Sequence, residues 1–324
     1  MINGSCFLFS TLTFLQSMLH YTHLSLNKIT VEPCIFAQLI PDAPSKDVQN
    51  SIAQFGVINP PLVRETNHNQ YELVFGLEIL LATQELGLQM LPCAIIASSL
   101  IPVQYYLFLC HIFKERGLTP AMEALLLQDA SRHLDKEEID QLMVAMGYKP
   151  GKGTLKNFLT LASAGRQILR PLHSGTLSTH SALQLCTLSL ANSSILIHYI
   201  EQYTLSGSKQ KQMIRRMMDL IRRENTSAEI LCQEWEETAK KTDPKNTPQL
   251  AKRFLEYIEK RHTPHLYEAT KEFEAFADGL HLPPGMHLSP CQSFENDSCS
   301  LMIQFANRKK LIKNLELAKT LIAK

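Results

Sequence analysis

From Ser45 onward the apolar residues fall into step with regular structure. Val48, Ile52 and Phe55 share one helical face, and Gly56 closes that helix. Pro60 and Pro61 bar a helix, so Leu62–Arg64 reads as a short strand. "TNHNQ" has turn chemistry, and Tyr71, Leu73 and Phe75 alternate as the hairpin partner. Gly76 breaks that strand. Leu77, Leu80 and Leu81 then run on to Leu88 at helical spacing, with Gly87 placed as a stop, and "PCAII" at 92–96 reads as another strand. The pattern predicts a compact α+β unit that ends near residue 100.

Helical spacing takes over after that. Thr119 caps a helix that has Pro120 in its first turn. Asp135 caps the next, Gly147 closes it, and "KPGKG" turns the chain into a third helix that carries Leu155, Phe158, Leu159 and Ala162 inward. Further helices are predicted at Ser178–Leu188 and Ser193–Tyr203. The stretch 209–223 is amphipathic, with Met213, Ile214, Met217, Leu220 and Ile221 between lysines and arginines. "KKTDPKNTPQ" reads as a linker or exposed loop, followed by two helices around Pro264. "PPGMHLSP" reads as irregular, "CSLMIQF" as a strand, and Arg308–Ala323 as a helix. The fold class is α+β. A small mixed N-terminal domain at 28–115 is followed by a central all-α region at 116–205 and a helical region at 206–285. A small C-terminal strand-plus-helix module at 286–324 is similar in kind to small dimerisation modules.

Composition narrows the function classes. The 324 residues are 45% hydrophobic and 19% charged, with a net charge of +1, so any nucleic-acid surface must be a local patch. Eight cysteines, at 6, 34, 93, 110, 186, 232, 291 and 299, form no C-x-x-C pair and no ligand-like cluster with histidine. No metal site is expected, and the thiols suit a reducing compartment. Residues 1–27 are set apart as an N-terminal extension. The apolar run from Cys6 to Met18 is too short to span a bilayer, and no Lys or Arg precedes it as in a signal peptide. It reads as a non-native extension or an added element packed on the first domain, and the protein is expected to be cytoplasmic, with no membrane partner.

A strand, a glycine and a helix N-terminus, as at Phe75–Leu77, are the parts of an anion cradle, because free backbone N–H groups there face a ligand. This turn nevertheless carries no arginine, lysine, serine or threonine before Thr83. The segment from Val48 to Ile96 resembles the N-terminal domain of ParB-type (ParB/RepB) partition proteins. Ser51, Ile52, Gly56, Asn59, Pro60, Val63, Tyr71, Glu72, Leu73, Gly76, Ala82, Leu86, Gly87, Leu88 and Pro92 fall in step with that family's pattern. Downstream, residues 137–185 are similar to its helix-turn-helix and to the following "L…G.LS..HA..L" stretch, here Leu172, Gly175, Leu177, Ser178, His180, Ala182 and Leu183. The resemblance covers roughly residues 28–190.

The family's glycine turn reads G-E-R-R-x-R, and the resemblance implies that its arginines hold the triphosphate of CTP. Gly56, Asn59 and Pro60 match the accompanying motif. Position by position this chain has Gly76, Leu77, Glu78, Ile79, Leu80 and Leu81, so the bend is kept while every arginine is lost. Charged hydrogen bonds contribute ~1.5–3 kcal/mol each. Losing several removes on the order of 4–9 kcal/mol, against ~8 kcal/mol for a whole micromolar complex. The expectation is a vestigial phosphate turn at Gly76, with Leu77, Glu78, Ile79 and Leu81 at the lost positions. No cofactor, no catalytic residue and no CTP hydrolysis are expected. An active nucleotide switch would need cations recruited from elsewhere, Arg64 and Lys46 being nearest in sequence.

The expected partner is double-stranded DNA, met through the central helix-turn-helix of a ParB-like chromosome or plasmid partition protein. Lys149, Lys152 and Lys156 suit phosphates, Asn157 suits an adenine edge, and Thr154 stands beside them. A homodimer is expected, because a helix-turn-helix gains affinity from two half-sites; a partition ATPase partner is left unidentified. The alternative is a protein-interaction scaffold derived from a partition protein that no longer binds DNA or nucleotide. The basic run 209–223, with Lys209, Lys211, Arg215, Arg216, Arg222 and Arg223 against Asp219, reads first as the solvated face of an amphipathic helix. His180 reads as a packing or capping residue rather than a catalytic one.

Overall fold

The computed structural model describes residues 19–32, 34–66, 69–239, 247–282, 285–291, 294, 298–304, 307, 311, 312 and 315. The chain divides into two compact units, Met1–Lys211 and Gln212–Lys324. The first begins with a five-stranded mixed sheet of order β1-β5-β3-β4-β2. Its strands are β1 (Leu19–Ser25), β2 (Ile29–Thr30), β3 (Leu62–Glu65), β4 (Tyr71–Phe75) and β5 (Met90–Ile96). The hairpin β3–β4 is antiparallel, as the alternation predicts, with a register shift at Leu62/Val63. β3 runs parallel to β5, and β1 pairs antiparallel with the other side of β5, from Leu19↔Ile96 to Ser25↔Met90. The sheet edge therefore falls in the stretch that the sequence pattern sets apart as an extension. β1 is mostly exposed, so its apolar residues show no alternation from which a strand could be read.

Two helices, α1 (Lys46–Phe55) and α2 (Leu77–Glu85), lie beside this sheet and beside each other. Ser45 caps α1 by accepting the N–H of Val48. α1 buries Ile52, while Phe55, which shares its apolar face in the sequence pattern, is 66% exposed. Leu77 and Leu80 of α2 join Val63, Leu73, Leu91 and Ile95 in the core. Each such side chain stabilises the fold by ~1.5–3 kcal/mol on burial.

The helices that follow are α3 (Pro102–Arg116), α4 (Pro120–Ala130), α5 (Lys136–Met146), α6 (Lys152–Ala162), α7 (Arg166–Ser174), α8 (Thr179–Leu185) and α9 (Leu190–Gln202). α4 buries residues around its whole circumference, Met122, Leu125, Leu126 and Leu127 among them, and is the central core helix. Thr119 caps it, and its hydroxyl also bonds Nδ1 of His173 on α7 at 2.8 Å. α3 and α7 have no counterpart in the sequence-level assignment. α3 is apolar on nearly every face and shows no clean helical period, whereas α7 is amphipathic, burying Ile168, Leu169 and Leu172, and it is Pro171 inside it that speaks against a helix in the sequence.

α10 (Gly207–Arg223) follows, and the second unit also holds α11 (Ala228–Ala239), α12 (Thr247–His262), α13 (Pro264–Gly279) and the hairpin β6 (Met286–Pro290) with β7 (Cys299–Ile303). Trp235 stacks against Phe254 at 5.5 Å in that unit's core. β6 corrects the irregular reading of "PPGMHLSP": the residues after Gly285 are held as a strand by pairing with β7, a long-range contact invisible to local pattern. Of the helix expected at Arg308–Ala323, Leu311, Ile312 and Leu315 are described and are helical, and its other residues, like those of the extension before Leu19, lie outside the described residues. Among the described residues no helix is long and apolar enough to cross a membrane.

Candidate nucleic-acid interface

Gly76 caps α2 with φ +100° and ψ 28°. A Cβ there would stand 2.6 Å from Cβ and 2.9 Å from Cα of Pro61, so both backbone angle and space demand glycine. The first α2 hydrogen bond runs from Leu80 N–H to the Gly76 carbonyl at 3.1 Å, which leaves the preceding N–H groups ahead of it. Of the positions where an anion site would place cations, Ile79 and Leu81 pack against the sheet core. Glu78 Oε1 accepts the Ser45 N–H at 3.0 Å, and Gln49 donates to Glu85 at 2.7 Å, so carboxylates of α2 tie it to α1. Leu77 is core. Gly56, with φ +73°, and Asn59 are exposed, and Pro60 is half-buried. Arg64 lies over the Tyr105 ring, 4.7 Å from its centroid, and Lys46 is exposed at the start of α1.

The second arrangement is α5, a turn and α6. Asp135 and Glu138 form a reciprocal capping box at the start of α5, and Gly147 ends it at φ +97°. Tyr148 in the turn stacks edge-on against Phe158 of α6 at 5.0 Å, and its hydroxyl donates to Glu123 Oε2 on α4 at 2.8 Å. Burial pushes the Glu123 carboxyl above the ordinary range, while the Tyr148 hydroxyl and Lys114 pull the other way. α6 is thus seated by Phe158, Leu161 and Ala162, which are buried, whereas Leu155 and Leu159 are only half-buried.

The predicted DNA-contacting side chains stand on the outer side of this arrangement. Lys149, Lys152, Lys156 and Asn157 are exposed, and Thr154 is half-buried. Lys152 and Lys156 are one helical turn apart and line a groove of about 720 Å³ together with Leu155, Leu159, Leu188 and Leu190. Among the described residues no carboxylate forms an ion pair with these lysines. The nearby arginines of α7 are committed elsewhere. Arg166 pairs with Asp42 at 2.6 Å, and Arg170 donates to the carbonyls of Gln38 at 3.3 Å and Ile40 at 2.5 Å. These long-range bonds fasten α7 to the loop before α1 and carry no signal in the local sequence.

Other candidates resolve into structural roles. On α10, Arg216 pairs with Glu259 at 2.6 Å and Arg223 donates to the carbonyls of Arg261 and His262 at 2.8 Å, so part of the basic run is used in joining helices. His180 is exposed and neither packs nor caps; Ser178 is the cap of α8, accepting from Ser181 N–H. Cys93 is fully buried, and burial pushes its thiol up to about 12. Among the described residues no group of His, Cys, Asp and Glu could hold a metal ion.

Residues 16–103 match the ParB N-terminal domain. Over 172 residues the chain is 26% identical to the "Probable chromosome-partitioning protein ParB" of Mycobacterium leprae (strain TN), a match that covers 52% of this chain and 50% of that protein. The chain therefore spans about half the length of the curated relative it matches. Among solved structures, the C-terminally truncated ParB of Caulobacter crescentus bound to the centromeric parS site is similar, with 21% identity, 60% of this chain and 97% of that one covered, and a TM-score of 0.28. The same protein complexed with CTP-gamma-S gives 22%, 56%, 99% and 0.23. A Pnob8-like ParB-N domain gives 14%, 73%, 98% and 0.34. The N-terminal sheet domain of this chain is thus similar to the ParB N-terminal domain, over residues 16–103.

Proposed function

We propose that this chain is a ParB-like DNA-binding protein of the partition type whose glycine turn no longer grips a nucleotide. The central contact is made by α6, entering the major groove with Lys152 and Lys156 on phosphates, Asn157 at base edges and Thr154 in its first turn, and with Lys149 in the turn before it. The observation that carries this reading is the exposure of those lysines, without carboxylate partners among the described residues, on a helix firmly seated by Phe158 and Tyr148. A homodimer would present two such helices to two half-sites. The N-terminal sheet domain then serves as a fixed packing unit, because Ile79 and Leu81 are spent on the core and Glu78 repels phosphate.

Fluorescence anisotropy with duplex DNA at several salt concentrations tests the contact. Each lost phosphate contact lowers the log–log salt slope by about 0.9, so Lys152→Ala with Lys156→Ala should lower it by roughly 2 and weaken binding at every sequence. Binding indifferent to both substitutions would remove α6 from the interface. Calorimetric titration is expected to show no micromolar, magnesium-dependent CTP binding, and no phosphate release with or without DNA. The leucines that line the groove beside α6 favour a second reading, a scaffold that docks a protein there. Failure to bind any duplex at low salt would establish that reading over the first.

A further inference from the structure

A separate cavity of about 370 Å³ lies in the first unit, where β3 and β4 meet the start of α3 and the end of α4. That is enough space for a small molecule. Arg64 and Glu72, opposite each other on paired strands, both line it. Side chains so placed ordinarily form a cross-strand ion pair. Here Arg64 instead rests on the Tyr105 ring, and among the described residues no ion pair joins it to Glu72. Tyr105 is only 6% exposed, lines the same cavity, and its hydroxyl has no hydrogen-bond partner among the described residues. The neighbouring Tyr106 hydroxyl, by contrast, donates to Asp129 Oδ2 at 2.8 Å, and Asp129 also faces Arg132 at 3.6 Å.

Among the described residues, the cavity therefore holds a guanidinium without an acceptor, a carboxylate without a donor and a phenol hydroxyl without a partner, in a wall completed by Ile35, Pro102, Tyr106, Asp129 and His133. Burial raises the Tyr105 hydroxyl far above its usual range. The charge of Arg64 opposes that shift while Asp129 and Glu72 add to it, so all three charges act at the phenol oxygen, which stays a donor at neutral pH. A simple anion would be opposed by Glu72 and Asp129, and a simple cation by Arg64. A molecule carrying both charges answers both.

We propose that this cavity binds a small zwitterion, a free α-amino acid, whose carboxylate pairs with Arg64 and accepts from Tyr105 and whose ammonium pairs with Glu72. Its side chain lies toward Ile35. The site joins sheet strands to the end of α4, so occupancy links the sheet domain to the helices that carry the DNA-contacting face.

The test titrates the full chain with each proteinogenic amino acid, with N-acetyl-leucine and leucinamide, and with guanosine, read by thermal shift and ligand-observed NMR. At least one free amino acid should bind with a dissociation constant of about 1 mM or tighter, and blocking either charge should weaken binding by about tenfold or more. Arg64→Gln and Glu72→Gln should each weaken binding by about tenfold, and Tyr105→Phe, which keeps the ring, by about threefold to tenfold. The analogues and Tyr105→Phe decide the matter should a charge variant fold poorly. Absence of binding by every amino acid at about 10 mM, equal binding of blocked and free forms, or preference for guanosine would each overturn the proposal.

Discussion

Gly76→Ala isolates the reason that the bend survives without phosphate-binding arginines. Left-handed backbone costs a non-glycine residue about 1–2 kcal/mol, partly offset by ~0.4–1 kcal/mol from the reduced freedom of the unfolded chain. Gly87 supplies the control, because it too is left-handed, at φ +70°, yet has nothing within 4 Å of the place a methyl group would take. Gly87→Ala should thus cost about 0.5–1 kcal/mol. At Gly76 the new methyl meets Pro61 at 2.6 Å. Pro61 cannot yield cheaply, since its ring is rigid and its carbonyl holds Ala94 N–H of β5 at 2.9 Å. Overpacking adds ~1–3 kcal/mol, for a total of about 2–4 kcal/mol. Trp235 belongs to the second unit and is a poor reporter, so the measurement is hydrogen–deuterium exchange of β3, β4 and β5 amides. Equal losses for the two variants would show that contact with Pro61 does not fix the glycine, and the packing account of the turn would fail.

Further outcomes follow from the same geometry. Leu80→Ala empties a site that is 1% exposed and should cost about 2–5 kcal/mol, seen as lost sheet protection in exchange. Arg170→Ala should deprotect residues 36–42 in exchange while leaving β3–β5 unchanged; unchanged protection there would deny that its bonds to Gln38 and Ile40 hold the loop. Because the folded pKa of Glu123 lies above its unfolded value of 4.5, the folded state binds the extra proton and this group's contribution to stability falls as pH rises through that window. Glu123→Gln should therefore gain in melting temperature relative to the parent on going from pH 4.5 to pH 7, and a constant difference would contradict this. Restoring arginine at Ile79 and Leu81 should destabilise the sheet domain, because both side chains pack on its core.

Local pattern in the sequence determined the elements whose cause is local. Alternation drew β4, paired prolines delivered β3, Thr119 and Asp135 opened α4 and α5, and Gly147 closed α5. The loss of every arginine from the glycine turn was equally legible, since charge is a property of composition at named positions. Tertiary structure decided the rest. β1 and β6 exist through pairing with β5 and β7, and exposed edge residues carry no burial pattern to announce them. α3 escaped because a helix buried on many faces loses its period. The partners of Glu78, Arg166 and Arg170 lie 33, 124 and 130 residues away, and the Arg64–Glu72–Tyr105 cavity joins β3, β4 and α3. Periodicity and capping act within a few residues, whereas those contacts arise only when distant segments are brought together by burial of a common core.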